Sequence, residues 1–126
     1  MNGRILCTED DADTREMLTI LLESFGYEVV CPTDSTLALE LMRGLHFDLC
    51  LLDNWMPGLS GLDLTKRIRE FNKVVPILFY SGAAQEEDQQ EAFDAGAQGY
   101  LIKPVDIDVL IQAIDELIVK STSAAA

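Results

Sequence analysis

The sequence predicts a doubly wound α/β fold, a flavodoxin-like (βα)5 three-layer sandwich with the parallel sheet order 2-1-3-4-5. Two observations carry this prediction. Short apolar runs alternate strictly with longer segments whose apolar side chains recur at helical spacing. The short runs are almost continuously hydrophobic, as strands are when both faces of their sheet are covered. Strict alternation of this kind favours a parallel sheet with helices on both faces.

Five apolar runs predict the strands, because each run is too short for a helix and several are rich in β-branched or aromatic residues. The second run ends at Pro32. Pro76 is awkward inside a central strand, so we place it near the start of the fourth. In chain order, the predicted strands are residues 5–7, 27–31, 49–52, 74–80 and 98–102.

Five segments with helical spacing predict the helices. Gly26, Gly44 and Gly96 follow the first, second and fourth segments and are predicted to end them. Either Asp34 or Ser35 is the expected N-cap of the second helix. The last segment has the clearest amphipathic pattern in the chain. In chain order, these segments are residues 17–25, 37–42, 64–71, 84–95 and 109–118.

Size and charge limit what this chain does. Its 126 residues suit one domain, which we place at residues 1–120, with 121–126 as a C-terminal tail or linker stub. The 22 acidic residues against 9 basic ones give a net charge of −13. Such a surface argues against direct nucleic-acid binding and against anionic membranes, and it favours a cation or a basic protein as partner. Without a signal pattern or a membrane-length apolar stretch, the expected location is the cytoplasm.

The cysteines and the single histidine predict no metal site of their own. Cys7, Cys31 and Cys50 are far apart and lie in apolar runs, without a CxxC pattern. We interpret them as small buried hydrophobic residues in a reducing compartment, rather than as a disulfide or metal site. His46 stands alone in a loop-like stretch and is interpreted as a surface residue.

Reactive side chains follow four of the predicted strands. Glu9 and Asp10 follow the first, Asp53 the third, Ser81 the fourth and Lys103 the fifth. The carboxyl ends of parallel strands meet at one edge, where ligands bind. Carboxylates gathered there repel one another unless a hard cation neutralises them, and oxygen ligands suit Mg²⁺. A lysine and a hydroxyl at the same place suit the oxygens of a phosphoryl group.

Each of these residues also has a plainer interpretation. The acids after the first strand could cap a helix, Asp53 and Ser81 could be turn residues, and Lys103 could be an ordinary solvated lysine. Their joint placement at four strand ends favours the functional interpretation. A flavin or nucleotide site on the same sheet would want a glycine- or hydroxyl-rich loop after the first strand, and this chain has acids there.

Four motifs carry a resemblance to a known family. Over residues 4–120 the chain resembles the receiver domains of two-component response regulators. The resemblance implies that Asp53 takes a phosphoryl group from a phosphohistidine, with Lys103 and Ser81 on the phosphoryl oxygens. The matching motifs are ILCTEDD (residues 5–11), LLDNWMPGLSG (51–61), FYSG (79–82) and GAQGYLIKP (96–104).

The resemblance also implies a metal site and a switch. Mg²⁺ would bind Asp10, Asp53 and the backbone carbonyl of Trp55 directly, and Glu9 through a water. Tyr100 would turn inward as Ser81 moves toward the phosphate. The Lys103–Pro104 peptide bond would be cis.

The partners implied by the resemblance are proteins. A histidine kinase or phosphotransfer protein would be the donor, and a downstream protein or a fused output domain would be the recipient of the signal. The protein would then be no enzyme beyond its own phosphorylation and dephosphorylation. The alternative is a degenerate receiver that serves only as a docking module, although its acceptor, acidic pair and lysine are all present.

Two residues depart from the family pattern, and one predicted helix is unusually acidic. Gly82 replaces the more usual alanine, which loosens the loop. Trp55 is bulky for its position; we predict that it lies at the pocket mouth and modulates phosphate lifetime, against the alternative of simple surface packing. Residues 86–94 carry five acids and no base. Similar receivers of winged-helix transcription factors dimerise through this face by matched acidic and basic residues. The basic residues are missing here, so the resemblance argues against that dimer and favours a basic partner or another dimer mode. The alternative is that the acidic run is only a solvated face.

Overall fold

The computed structural model describes residues 2–125, in which five strands alternate with five helices. The strands are β1 (Gly3–Cys7), β2 (Tyr27–Val30), β3 (Leu49–Leu52), β4 (Ile77–Ser81) and β5 (Gly99–Ile102). The helices are α1 (Ala12–Ser24), α2 (Ser35–Gly44), α3 (Gly61–Arg69), α4 (Glu86–Ala95) and α5 (Ile107–Ala125).

The five strands form one parallel sheet in the order β2-β1-β3-β4-β5, which confirms the predicted fold. The register keeps the carboxyl ends level, since Cys7 pairs with Leu51 and Ser81 pairs with Ile102. The loops that follow β1, β3, β4 and β5 therefore leave the sheet at one edge.

Alternate residues of each strand face two separate hydrophobic cores. Leu6, Leu52 and Phe79 pack with side chains of α2, α3 and α4 on one face. Ile5 and Leu51 pack with α1 and α5 on the other. Both faces of the sheet are thus covered, which explains why the strands are mostly hydrophobic.

Side-chain caps fix where the first three helices begin. The carboxylates of Asp11 and Asp34 accept the backbone N–H groups of Thr14 and Leu37, and Ser60 caps α3 in the same way. Asp34, rather than Ser35, is therefore the N-cap of α2. These caps satisfy N–H groups that have no partner within the helix.

Helix α5 is longer than the sequence predicts. The apolar stripe ends near Ile118, yet the helix continues to Ala125, through the segment we assigned to a tail or linker stub. Thr122 Oγ1 donates to the Ile118 carbonyl at 3.0 Å. Serine, threonine and alanine carry no apolar periodicity, but alanine has the highest helix propensity, so the pattern misses this extension. The domain boundary near residue 120 stays a prediction.

The remaining expectations concern exposure. Pro76 precedes β4, as its missing N–H group requires. Cys7 and Cys50 are buried, Cys31 is half-buried, and all three are free thiols. The side chain of His46 is exposed, as predicted. Within residues 2–125, no helix combines the length and apolarity needed to cross a membrane.

Candidate functional site

Asp53 lies at the centre of the carboxyl edge of the sheet, immediately after β3. Its side chain is buried and accepts hydrogen bonds on both oxygens. Oδ1 accepts from the Ser81 hydroxyl at 3.0 Å and from the Trp55 N–H at 3.1 Å. Oδ2 lies 2.8 Å from Lys103 Nζ. The carboxylate is therefore held between a hydroxyl and an ammonium group that come from the next two strands.

Lys103 joins the two buried carboxylates of the site. Its ammonium group forms ion pairs with Asp53 and with Glu9, and it lies 5.4 Å from the centre of the Tyr80 ring. Burial alone would lower the pKa of Lys103. The hydrogen bonds and charges of Asp53 and Glu9 outweigh burial and raise this pKa above its usual value. The ammonium form is thus favoured at this position.

The acidic loop after β1 brings two more carboxylates to Asp53. Oxygen atoms of Glu9, Asp10 and Asp53 lie within 4.8 Å of one another. Glu9 and Asp53 are buried, whereas Asp10 is exposed. A cluster of carboxylate oxygens open to solvent on one side fits a hard divalent cation such as Mg²⁺, which keeps several of its waters. The predicted contribution of the Trp55 carbonyl stays a prediction.

Two side chains that the sequence analysis missed hold this edge in place. The hydroxyl of buried Thr8 accepts the backbone N–H of Asp53 at 3.2 Å. Arg15, on the first turn of α1, donates to the Glu9 carbonyl at 2.9 Å. One signal could have indicated Arg15: a cation near a helix N-terminus opposes the helix dipole, which suggests that it has a local partner.

The loop between β3 and α3 is fixed from two sides. Gly61 packs so closely on Asp53 that a Cβ there would lie 2.5 Å from the Asp53 carbonyl oxygen. Its N–H donates to the Asn54 carbonyl at 3.1 Å. On the other side, the buried hydroxyl of Ser35 contacts the carbonyl oxygens of Pro57 and Leu59, at 2.9 and 2.5 Å. The loop that follows Asp53 is thereby held between α2 and α3.

Ser81 connects Asp53 to Tyr100. The Ser81 hydroxyl accepts the Ala83 N–H at 3.2 Å, and the Tyr100 hydroxyl donates to the Ala83 carbonyl at 2.6 Å. The Tyr100 ring stacks on Phe79 with 5.5 Å between ring centres. Burial, together with the charges of Asp88 and Asp53, raises the pKa of Tyr100, although a hydrogen bond to Ser81 opposes the rise. The ring is already packed inward here, with Ser81 in contact with Asp53, so its predicted rotation stays a prediction.

Trp55 lies beside the loop that follows β4. Its side chain is 62% exposed. A Cβ added to Gly82 would lie 3.5 Å from Trp55 Cζ3, an ordinary packing distance. The indole therefore covers Gly82 without requiring a glycine there. The Lys103–Pro104 peptide bond is cis, as expected.

Comparison with known proteins identifies the family. The sequence model of the response regulator receiver domain matches residues 5–115. The chain belongs to the response regulator receiver domain family. This receiver domain is 38% identical over 117 residues to the sensor histidine kinase AruS of Pseudomonas aeruginosa, covering 90% of this chain and 12% of that protein. It spans at most half the length of the first curated relatives that it matches.

Solved receiver structures agree with the fold. A CheY-like receiver domain protein from Methanospirillum hungatei superimposes with a TM-score of 0.91 at 26% identity, covering 96% of this chain and 97% of that one. The receiver domain of the Pseudomonas aeruginosa sensor histidine kinase PA1611 gives 0.85 at 28% identity, covering 92% and 97%. That structure holds a magnesium ion in its active-site cleft.

Proposed function

We propose that this receiver domain takes a phosphoryl group onto Asp53 in a Mg²⁺-dependent reaction, from a phosphohistidine of a sensor kinase or phosphotransfer protein. One observation carries the proposal: the buried Asp53 carboxylate lies between the Ser81 hydroxyl and the Lys103 ammonium, beside the acids of the β1 loop. Phosphoryl transfer needs alignment and neutralisation of charge, and these groups supply both.

The reaction needs little covalent catalysis by the protein. An ionised Asp53 oxygen attacks phosphorus, its O–P bond forms as the N–P bond to the donor imidazole breaks, and no general base is needed. Lys103 moves its contact from the carboxylate to a phosphoryl oxygen, and the Ser81 hydroxyl donates to another. Glu9, Asp10, Asp53 and the Trp55 carbonyl are the groups that would hold the metal. Bound there, Mg²⁺ supplies positive charge that offsets the charges of the carboxylates and the phosphoryl group.

The effect of phosphorylation at Asp53 would be transmitted to the surface through Ser81 and Tyr100. A phosphoryl group adds about −1.5 to −2 charges if it titrates like other phosphorylated side chains. Because the loop after β4 contacts both Asp53 and Tyr100, it is the element that such a charge would bias. The output face would then be α4, β5 and α5, read by a downstream protein or a fused output domain. We place this reaction in the cytoplasm and count the domain as no enzyme beyond turnover of its own phosphoryl group.

Acetyl phosphate provides the direct test. The full chain is incubated with acetyl phosphate and Mg²⁺, or with EDTA instead of Mg²⁺, and its intact mass is measured. We expect one phosphoryl adduct that requires Mg²⁺ and disappears in Asp53→Asn. Asp48→Asn, which changes an acid at the opposite edge of the sheet, is the matched control and should keep the adduct.

Two outcomes would contradict the proposal. One is a folded wild-type chain that takes no phosphoryl group, which would leave the docking module as the better interpretation. The other is an adduct that persists in Asp53→Asn, which would show that another side chain is the acceptor.

A further inference from the structure

Two of the three cysteines lie side by side, on neighbouring strands. Cys7 is the last residue of β1, and Cys31 directly follows β2. Because Leu6 pairs with Val30, Cys7 and Cys31 are next to each other in the parallel register. Both side chains pack in the core on the α1 and α5 face of the sheet. Adjacent strands are about 4.8 Å apart, which lies within the roughly 4.4–6.8 Å that separates the Cα atoms of disulfide-bonded cysteines.

The two thiols differ in their surroundings. They belong to the same core cluster, yet Cys7 is fully buried whereas Cys31 is half-buried and reachable from solvent. The neighbouring Cys7 thiol lowers the pKa of Cys31. Burial opposes this effect, and the charge of Arg15 adds to it. A partly exposed thiol with thiolate character and a second thiol beside it is the arrangement of a redox-sensitive cysteine.

Cys50 serves as an internal reference. It is also free and lies on a neighbouring strand, but it is fully buried in the opposite core and its sulfur contacts Met42 Sδ at 3.5 Å. Burial raises the pKa of Cys50 to about 12. A thiol so placed is expected to be inert.

We propose that Cys7 and Cys31 form a dithiol that hydrogen peroxide oxidises to an internal disulfide. The Cys31 sulfur attacks one peroxide oxygen, the O–O bond breaks, and Cys31 becomes a sulfenic acid with release of water. The Cys7 sulfur then attacks the Cys31 sulfur, the S–O bond breaks, and a second water leaves. Two thiols and one peroxide thus give one disulfide and two waters.

This bond would lie close to the Asp53 site. It would join β1 to β2 one residue before Thr8, whose hydroxyl accepts the backbone N–H of Asp53. The oxidation itself does not depend on phosphorylation of Asp53. The inference can therefore fail while the proposed function stands, and the reverse also holds.

Trypsin separates the three thiols, which makes the test direct. Cleavage after Arg4, Arg15, Arg43 and Lys66 gives peptides 5–15, 16–43 and 44–66, with one cysteine each. The reduced full chain is treated with hydrogen peroxide, alkylated with iodoacetamide in denaturant, and analysed without reduction. We expect loss of two of the three alkylatable thiols. Peptides 5–15 and 16–43 should be joined, in a monomer two hydrogens lighter than the reduced chain, and 44–66 should be fully alkylated.

Two variants test the roles of Cys50 and Cys7 separately. Cys50→Ala should form the same link, whereas Cys7→Ala should stop at a Cys31 sulfenic acid that dimedone traps. Three outcomes would overturn the inference: peptides 5–15 and 16–43 that remain separately alkylated, a link that involves 44–66 or a second chain, or wild-type Cys31 oxidised without a bond to Cys7. Because the wild-type map decides the question, a variant that fails to fold would not obscure it.

Discussion

Replacing Lys103 with methionine tests how much the ion pairs of Lys103 stabilise the folded domain. Lys103 Nζ lies 2.8 Å from Asp53 Oδ2 and also pairs with Glu9. At an effective dielectric constant of about 20, the Asp53 pair alone is worth about 6 kcal/mol of Coulomb energy, before the cost of desolvation is subtracted. Removing one partner of a buried pair costs roughly 3–5 kcal/mol. The Lys103 side chain is 24% exposed, so screening by solvent brings the expected loss to about 2 kcal/mol.

The loss should depend on pH in a defined direction. The pKa of Lys103 is raised in the folded chain, so its contribution to stability is fully present below the usual pKa of lysine. That contribution is lost as the pH rises through the raised value. The difference in unfolding free energy between wild type and Lys103→Met should therefore be constant from neutral pH to about pH 9 and should shrink above about pH 10.4.

Urea unfolding in EDTA measures this difference, by circular dichroism and by the fluorescence of Trp55, the only tryptophan. We expect the midpoint to fall by about 1 M with an unchanged slope. Lys66→Met, which removes an exposed lysine of α3, is the control and should unfold like wild type. Added Mg²⁺ should narrow the deficit, because the ion then neutralises carboxylates that the ammonium no longer pairs. A Lys103→Met variant as stable as wild type, or a deficit that persists at alkaline pH, would refute the reasoning.

Three further changes have equally definite expected results. Trp55→Asn should change the rate at which a phosphoryl adduct disappears, because the indole covers the loop after β4. The rate is followed by intact mass after the donor is removed. Equal rates in wild type and variant would show that Trp55 does not modulate the lifetime of the phosphoryl group. Ser35→Ala should lower the unfolding free energy by about 1–3 kcal/mol, since the loop carbonyls lose a buried hydroxyl donor. A loss under about 0.5 kcal/mol, within the range of ordinary surface substitutions, would contradict this expectation. Arg15→Met should weaken Mg²⁺ binding about fivefold, read by Trp55 fluorescence, because the Glu9 carbonyl loses a hydrogen bond worth about 1 kcal/mol. Arg67→Met on α3 is its control and should leave Mg²⁺ binding unchanged.

The sheet was predictable because its signal is local and repeated. Each strand is mostly hydrophobic, each helix carries an apolar stripe, and the alternation leaves few topologies open. The end of α5 was not predictable in this way, because residues 119–125 have little apolar periodicity. The choice between Asp34 and Ser35 as N-cap also needed the structure, since both residue types cap helices equally well.

The site was predictable to the extent that strand ends determine it. Once the sheet is parallel, Asp53, Ser81 and Lys103 must meet at one edge. The contact of Thr8 was not predictable, because nothing in its spacing identifies a backbone group as its partner. For Arg15 the helix dipole indicates a local partner without identifying the Glu9 carbonyl. The proximity of Cys7 to Cys31 was also not predictable, because it depends on the register between β1 and β2, which the sequence alone does not determine.

Gly61 has a mechanical consequence for the domain. No side chain fits between α3 and the Asp53 backbone, so Asp53 and the start of this helix are packed together as one unit. The loop after β4 has no such constraint at Gly82, where a side-chain carbon would fit. If a phosphoryl group were added at Asp53, the backbone on the two sides of this residue would resist movement unequally. The less tightly packed side leads to Tyr100, so we expect the domain to deform in that direction.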